Sequence, residues 1–265
     1  MLRINDIEEV MQKKRNIRRK TILGNTEISL RSIIEKEYLY EINKNDKLDY
    51  GIDNDIFYKF KKEFFVIDEI MHNLAQSLII KADQEMDRDL SIDEIIMYRN
   101  TPDEKRDDFV NALTHQKNIK EALGNIYYNE IMPQAYQCVF ISYYSLVEST
   151  LQCYCQNLQQ KLDIKISYND LSHNGIVGLV KYLQNVVKIG EIENNKIYAN
   201  IKIINNIRND IVHRRGRIDQ SENIEIYYNE LGVKSIDNYI YLSYENVQNI
   251  ASIIFEFIDM IFKLL

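Results

Sequence analysis

The segment Ile207-Arg208-Asn209-Asp210-Ile211-Val212-His213-Arg214-Arg215-Gly216 places an arginine and a histidine a short distance apart in a basic stretch. A histidine ionises near neutrality and can move a proton, whereas an arginine can hold a phosphate and offset the extra negative charge of a pentavalent transition state. RNA supplies its own nucleophile, because its 2′-hydroxyl can attack the neighbouring phosphodiester. Arg208 as phosphate clamp and His213 as acid or base then suffice for cleavage without a metal or other cofactor, leaving a 2′,3′-cyclic phosphate. Around the pair, Lys202, Arg208, Arg214, Arg215 and Arg217 face only Asp210, a local excess of four positive charges in a chain of net charge −7. Lys202, Arg214, Arg215 and Arg217 are therefore expected to bind RNA phosphates.

The element that must carry these residues reads as a helix from Asn194 to about Arg214, ended by Gly216. At a helical turn of about 100° per residue, Ile197, Ile201, Ile204, Ile207 and Ile211 form one apolar stripe, and Lys202, Asn206, Asn209 and His213 share the opposite face. Arg208 falls near the edge of the stripe, about 140° from His213. An arginine buried there unpaired would be costly. Either it bends toward a shared cleft or it meets a carboxylate, for which Glu148 is the candidate, although Glu148 can equally be exposed. Glu148 sits in Ser145-Leu146-Val147-Glu148-Ser149, at the margin of the apolar face of a long helix running from Gln134 to about Leu162.

On Arg208-Asn209-Asp210-Ile211-Val212-His213 the chain resembles the HEPN superfamily, the "higher eukaryotes and prokaryotes nucleotide-binding" helical domains, whose motif is an arginine, a polar residue, three more residues and a histidine. The order of a long helix with a mid-helix glutamate, an intervening helix, the motif near a helix end and a closing helix also fits. The resemblance covers about residues 130 to 265. It implies an HEPN-like domain over residues 131–265 and leaves an N-terminal helical region, residues 1–130, with an open role. It further implies a metal-independent endoribonuclease that works as a homodimer, with Arg208 and His213 of both chains in one cleft and Asn209 orienting His213 or the phosphate. Many relatives are toxins of toxin-antitoxin pairs or effectors of abortive infection, so RNA, tRNA included, and an antitoxin or trigger protein are the implied partners. In one subgroup a tyrosine two residues after the histidine is modified by the antitoxin; here Arg215 stands at that position. The alternative is a non-catalytic helical interaction or nucleotide-binding module, since cations at a helix C-terminus are favoured by its dipole alone.

The rest of the chain is consistent with a helical frame. Its 265 residues are 45% hydrophobic and 28% charged, values that exclude wholesale disorder, and only 8 Gly and 2 Pro are too few for an all-β or doubly wound fold. The expected class is all-α, a mainly helical bundle, with a small hairpin near the C-terminus formed by Ile224–Tyr227 and Tyr239–Leu242. Phe57, Phe60, Phe64, Ile67, Met71, Leu74 and Leu78 alternate by three and four, the spacing of a heptad seam. A charged helix is expected over residues 5–22, a second from the potential cap Thr26 to about Tyr40, and others over 176–187 and from Tyr244 onward, with a break at Pro133. No apolar run of about 18 residues or leader is present, so a cytoplasmic protein without membrane contact is expected. Cys138, Cys153 and Cys155 suit reduced thiols, and Cys153-Tyr154-Cys155 is too tightly spaced for zinc. The loop around Asp46, Asp49 and Asp53 lacks the remaining calcium ligands. Tyr227, Tyr228, Tyr239 and Tyr241 can be half-buried strand residues or base-stacking groups.

Overall fold

The computed structural model describes residues 52–86, 92–171, 175–218 and 230–264. The expected helices over 5–22 and 26–40, the loop around Asp46, and residues 224–228 lie outside the described residues. Among the described residues the protein is mainly helical with one small antiparallel hairpin. Its helices are α1 (Ile52–Met86), α2 (Ile92–Asn100), α3 (Arg106–Ile126), α4 (Met132–Lys161), α5 (Gly175–Lys181), α6 (Lys196–Arg214) and α7 (Tyr244–Lys263), and the hairpin pairs β1 (Lys234–Ile236) with β2 (Tyr239–Tyr241). The described residues form two compact units, one of residues 52–69 and 136–264 and the other of Ile70–Ala135. Among the described residues no helix is long and apolar enough to cross a membrane.

The unit that carries Arg208 and His213 is built on aromatic packing. Phe64 lies 4.8 Å from the Tyr143 ring and 5.4 Å from Phe255, while Phe262 lies 5.0 Å from Phe57 and 4.4 Å from Tyr154. Such tilted and stacked pairs add to the area each ring buries. Into this layer the chain places Asp68, 6% exposed, whose carboxylate accepts a hydrogen bond from the Tyr143 hydroxyl at 3.2 Å. α7 covers α6 with its apolar face, Val247, Ile250, Ile254, Phe257, Ile258 and Ile261 all being buried. Its start is fixed by a capping box, in which Ser243 and Asn246 each satisfy the other's backbone N–H.

Three expectations are corrected. The buried positions of α1 are Phe60, Phe64, Asp68, Met71, Ala75, Ile79 and Ala82, separated by four, four and three residues, so Leu74 and Leu78 leave the stripe. This is an eleven-residue repeat rather than a heptad; its period of about 3.67 stays closer to a straight α-helix than the 3.5 of a coiled coil. Pro133 breaks nothing: a π-helical turn over Tyr127–Ile131 precedes it and leads into α4. Such a turn loosens the ladder where proline supplies no N–H. The hairpin partner of β2 is Lys234–Ile236, joined through Asp237 and Asn238 with φ of 52° and 67°. Two consecutive left-handed residues make the tight turn whose twist suits a two-residue hairpin, and Asp and Asn tolerate it better than other side chains. In the second unit, the Tyr128 hydroxyl donates to Asp83 at 2.7 Å, and Arg106 lies over the Tyr98 ring.

Candidate active site

Helix α6 begins at Asn195, whose side chain accepts from the Ile197 N–H at 2.8 Å, and buries Tyr198, Ile201, Ile204 and Ile207. Ile211, expected in the same stripe, is only half-buried, so the polar end of the helix projects beyond the core. The helix closes with Arg215 and Gly216 both left-handed, at φ of 55° and 77°, and with the Gly216 N–H donating to the Asp210 carbonyl at 2.9 Å. That ending satisfies a terminal carbonyl and turns the chain sharply after Arg214.

At this end the Arg208 guanidinium folds along the helix. Its Nη1 donates to Asn209 Oδ1 at 3.1 Å and lies 3.3 Å from His213 Nε2. The 140° between the two Cα directions is bridged by the length of the arginine side chain. Because a guanidinium has donors only, His213 Nε2 is the acceptor in this contact, which corresponds to the tautomer with its proton on Nδ1. His213 is exposed and Arg208 half-buried, and Arg208 Nε is buried with no hydrogen-bond partner.

The support beneath Arg208 is aromatic. Glu148 and Arg208 form no ion pair; instead the guanidinium lies over the Tyr144 ring, 5.3 Å from its centroid. Tyr144 is buried, and its hydroxyl donates to Asn205 Oδ1 at 2.6 Å. Burial pushes the Tyr144 phenol up to about 12, reinforced by the Glu148 carboxylate and opposed by Arg208 and the Ile176 backbone N–H. Glu148 therefore acts on the hydroxyl end of Tyr144 and Arg208 on its face. Gly175, beside Glu148 and the Tyr144 hydroxyl at the start of α5, takes φ of 70°, a left-handed value that side chains rarely adopt. Tyr144 and Asn205 were not among the residues expected from sequence. The signal was helical spacing, Tyr144 lying one turn before Glu148 and Asn205 one turn before Arg208.

No family model, curated protein or solved structure matches the chain. Of the expected phosphate ligands, Arg214, Arg215 and Arg217 are exposed at the end of α6, and Arg214 also pairs with Asp210 at 3.4 Å. Lys202 stands apart, about three turns before Arg214, with its ammonium 5.2 Å from the Tyr198 ring centroid. Cys138 and Cys153 are exposed thiols and Cys155 is a buried one. No His, Cys, Asp or Glu group able to hold a metal occurs among the described residues. The arrangement thus offers one exposed imidazole, one guanidinium held against an aromatic face, an amide beside it and three further cations. Such a set can grip a phosphodiester and transfer protons around it.

Proposed function

We propose that this chain is a metal-independent endoribonuclease of the HEPN type, a toxin or phage-defence effector of the cytoplasm that works as a homodimer. The observation that carries the reading is the 3.3 Å approach of Arg208 Nη1 to His213 Nε2 at an exposed, strongly cationic helix end. A phosphodiester entering there offers Arg208 a better acceptor than an imidazole, since charge-assisted bonds to phosphate are the stronger ones. The arginine moves to the phosphate and His213 Nε2 is released to act as base. Nε2 takes the 2′-hydroxyl proton, the 2′-oxygen bonds to phosphorus, and the bond from phosphorus to the 5′-oxygen breaks. With Arg208 and His213 of both copies in one cleft, the second copy's His213 returns a proton to that 5′-oxygen as acid, so the products are a 2′,3′-cyclic phosphate and a 5′-hydroxyl. Asn209 holds Arg208 in register, and Arg214, Arg215 and Arg217 bind flanking phosphates.

The test is cleavage of total RNA, tRNA included, by purified protein in EDTA, together with induced expression in a bacterial host. Loss of general acid–base catalysis in His213→Ala should slow cleavage by about 10²- to 10⁴-fold without unfolding the protein. A wild-type protein that cuts no RNA and is as harmless to growth as His213→Ala overturns the reading.

A further inference from the structure

Just after α6, Gly216–Ile218 meet β2 of the two-stranded hairpin in a single antiparallel bridge. Ile218 N–H donates to the Asn238 carbonyl and Ile240 N–H to the Gly216 carbonyl, each at 2.8 Å, so Arg217 lies directly opposite Tyr239. On the other side of β2, Tyr239 lies opposite Ile236, and Tyr241 opposite Lys234. Residues directly opposite in an antiparallel ladder point to the same side, and alternate residues along a strand share a face. Ile236, Tyr239 and Arg217 therefore form one row across the hairpin and the bridged segment, with Tyr241 and Lys234 beside it. This is the outer face: Ile236 is 54% and Tyr239 52% exposed, and Arg217 and Lys234 are exposed, while Ile240 on the opposite face is buried. The row is fixed to the site. Gln137 of α4 donates to the Ile240 carbonyl at 2.9 Å, and Gly216 both closes α6 and holds β2. Arg217 follows His213 by four residues, a reach of at most about 14 Å.

We infer that this face is a base-stacking platform for single-stranded RNA, with Tyr239 receiving a nucleobase while Arg217 and Lys234, one at each edge, hold the backbone on either side. The inference rests on the ribonuclease reading for its ligand class. Its own grounds are the exposed aromatic and aliphatic row set between cations, the combination that binds unpaired bases irrespective of sequence. A duplex hides its base faces and gains nothing from such a surface.

The test uses a labelled 2′-O-methyl oligoadenylate, which lacks the free 2′-hydroxyl needed for cleavage, and an abasic oligomer of equal length and charge. The wild type should prefer the base-bearing probe. Tyr239→Ala and Tyr239→Leu should each weaken that probe by about 5- to 150-fold, leave the abasic probe unchanged, and melt like the wild type; Tyr239→Phe should restore affinity. The platform is overturned if the wild type does not distinguish the probes or binds neither, or if the Tyr239 variants lose nothing or lose equally on both. Base-dependent binding without cleavage of unmodified RNA would sink the nuclease reading and leave the platform standing; cleavage without base discrimination would do the reverse.

Discussion

Removing the aromatic face under Arg208 separates the two roles that Tyr144 plays. Tyr144→Phe keeps the ring 5.3 Å from the guanidinium but deletes the 2.6 Å hydrogen bond to Asn205. It leaves Asn205 Oδ1 without its donor, at a cost of about 1–2 kcal/mol of stability. Tyr144→Leu deletes both. A cation over a ring in a partly desolvated site contributes about 1–2 kcal/mol, so the leucine variant should release Arg208 and cleave RNA about 5- to 30-fold more slowly than the phenylalanine variant. Two measurements read this. Single-turnover cleavage gives the ratio, and the Arg208 side-chain N–H resonances give the contact itself, because the ring current displaces them in the wild type and in Tyr144→Phe but not in Tyr144→Leu. If the arginine resonances are the same in all three proteins, or if the two variants cleave equally fast, Tyr144 does not position Arg208.

Stability should fall in alkali. Burial raises the phenols of Tyr136 and Tyr143, and lifts those of Tyr144 and Tyr198 to about 12. A phenol held above its unfolded value of about 10 binds its proton more tightly when folded; its contribution is complete below pH 10 and is lost as pH climbs toward 12. Urea midpoints should therefore hold up to about pH 10 and then drop; a midpoint unchanged at pH 11.5 contradicts the burial argument. Glu148→Gln should lower the Tyr144 phenol and change stability by about 1 kcal/mol or less, since no ion pair with Arg208 is broken. A loss of about 3 kcal/mol or more in urea unfolding would reveal a buried pair after all. At Asn238, with φ of 67°, substitution by Ala should cost about 1 kcal/mol in the hairpin while Gly is tolerated. Equal unfolding midpoints for the two variants would refute the strained-turn account.

The helices were readable where local chemistry punctuates the chain. Gly216 marks an end that the backbone must satisfy, and α6 stops before it, while α7 begins at Tyr244 where the apolar helical spacing starts. What escaped the sequence was set by distant partners. A heptad and an eleven-residue repeat share Phe60, Phe64 and Met71, and only packing separates them, burying Asp68 where the heptad has Ile67 and then Ala75, Ile79 and Ala82. Asp68 could not be recognised as a core residue without Tyr143, which follows it by 75 positions. β1 was missed for a related reason. Lys234-Ser235-Ile236 has little apolar character, and it becomes a strand because Asp237 and Asn238 fold it back on Tyr239–Tyr241.

The same contrast decides how much weight the candidate site bears. A helix C-terminus attracts cations unaided, and Arg214, Arg215 and Arg217 need no further explanation than its dipole and solvent. Arg208 does. It lies about two turns inside the end of α6, where the dipole has faded, with its Nε buried and unpartnered, and ordering a long side chain there costs conformational entropy. That cost is met by Tyr144, itself held by Asn205, and the result directs Nη1 at Asn209 and His213 rather than at the nearest carboxylate. A guanidinium constrained in this way keeps a donor beside an exposed imidazole before any ligand arrives. Under the proposed reading, this is the arrangement a phosphodiester-cleaving site needs, with the donor in place before the substrate binds.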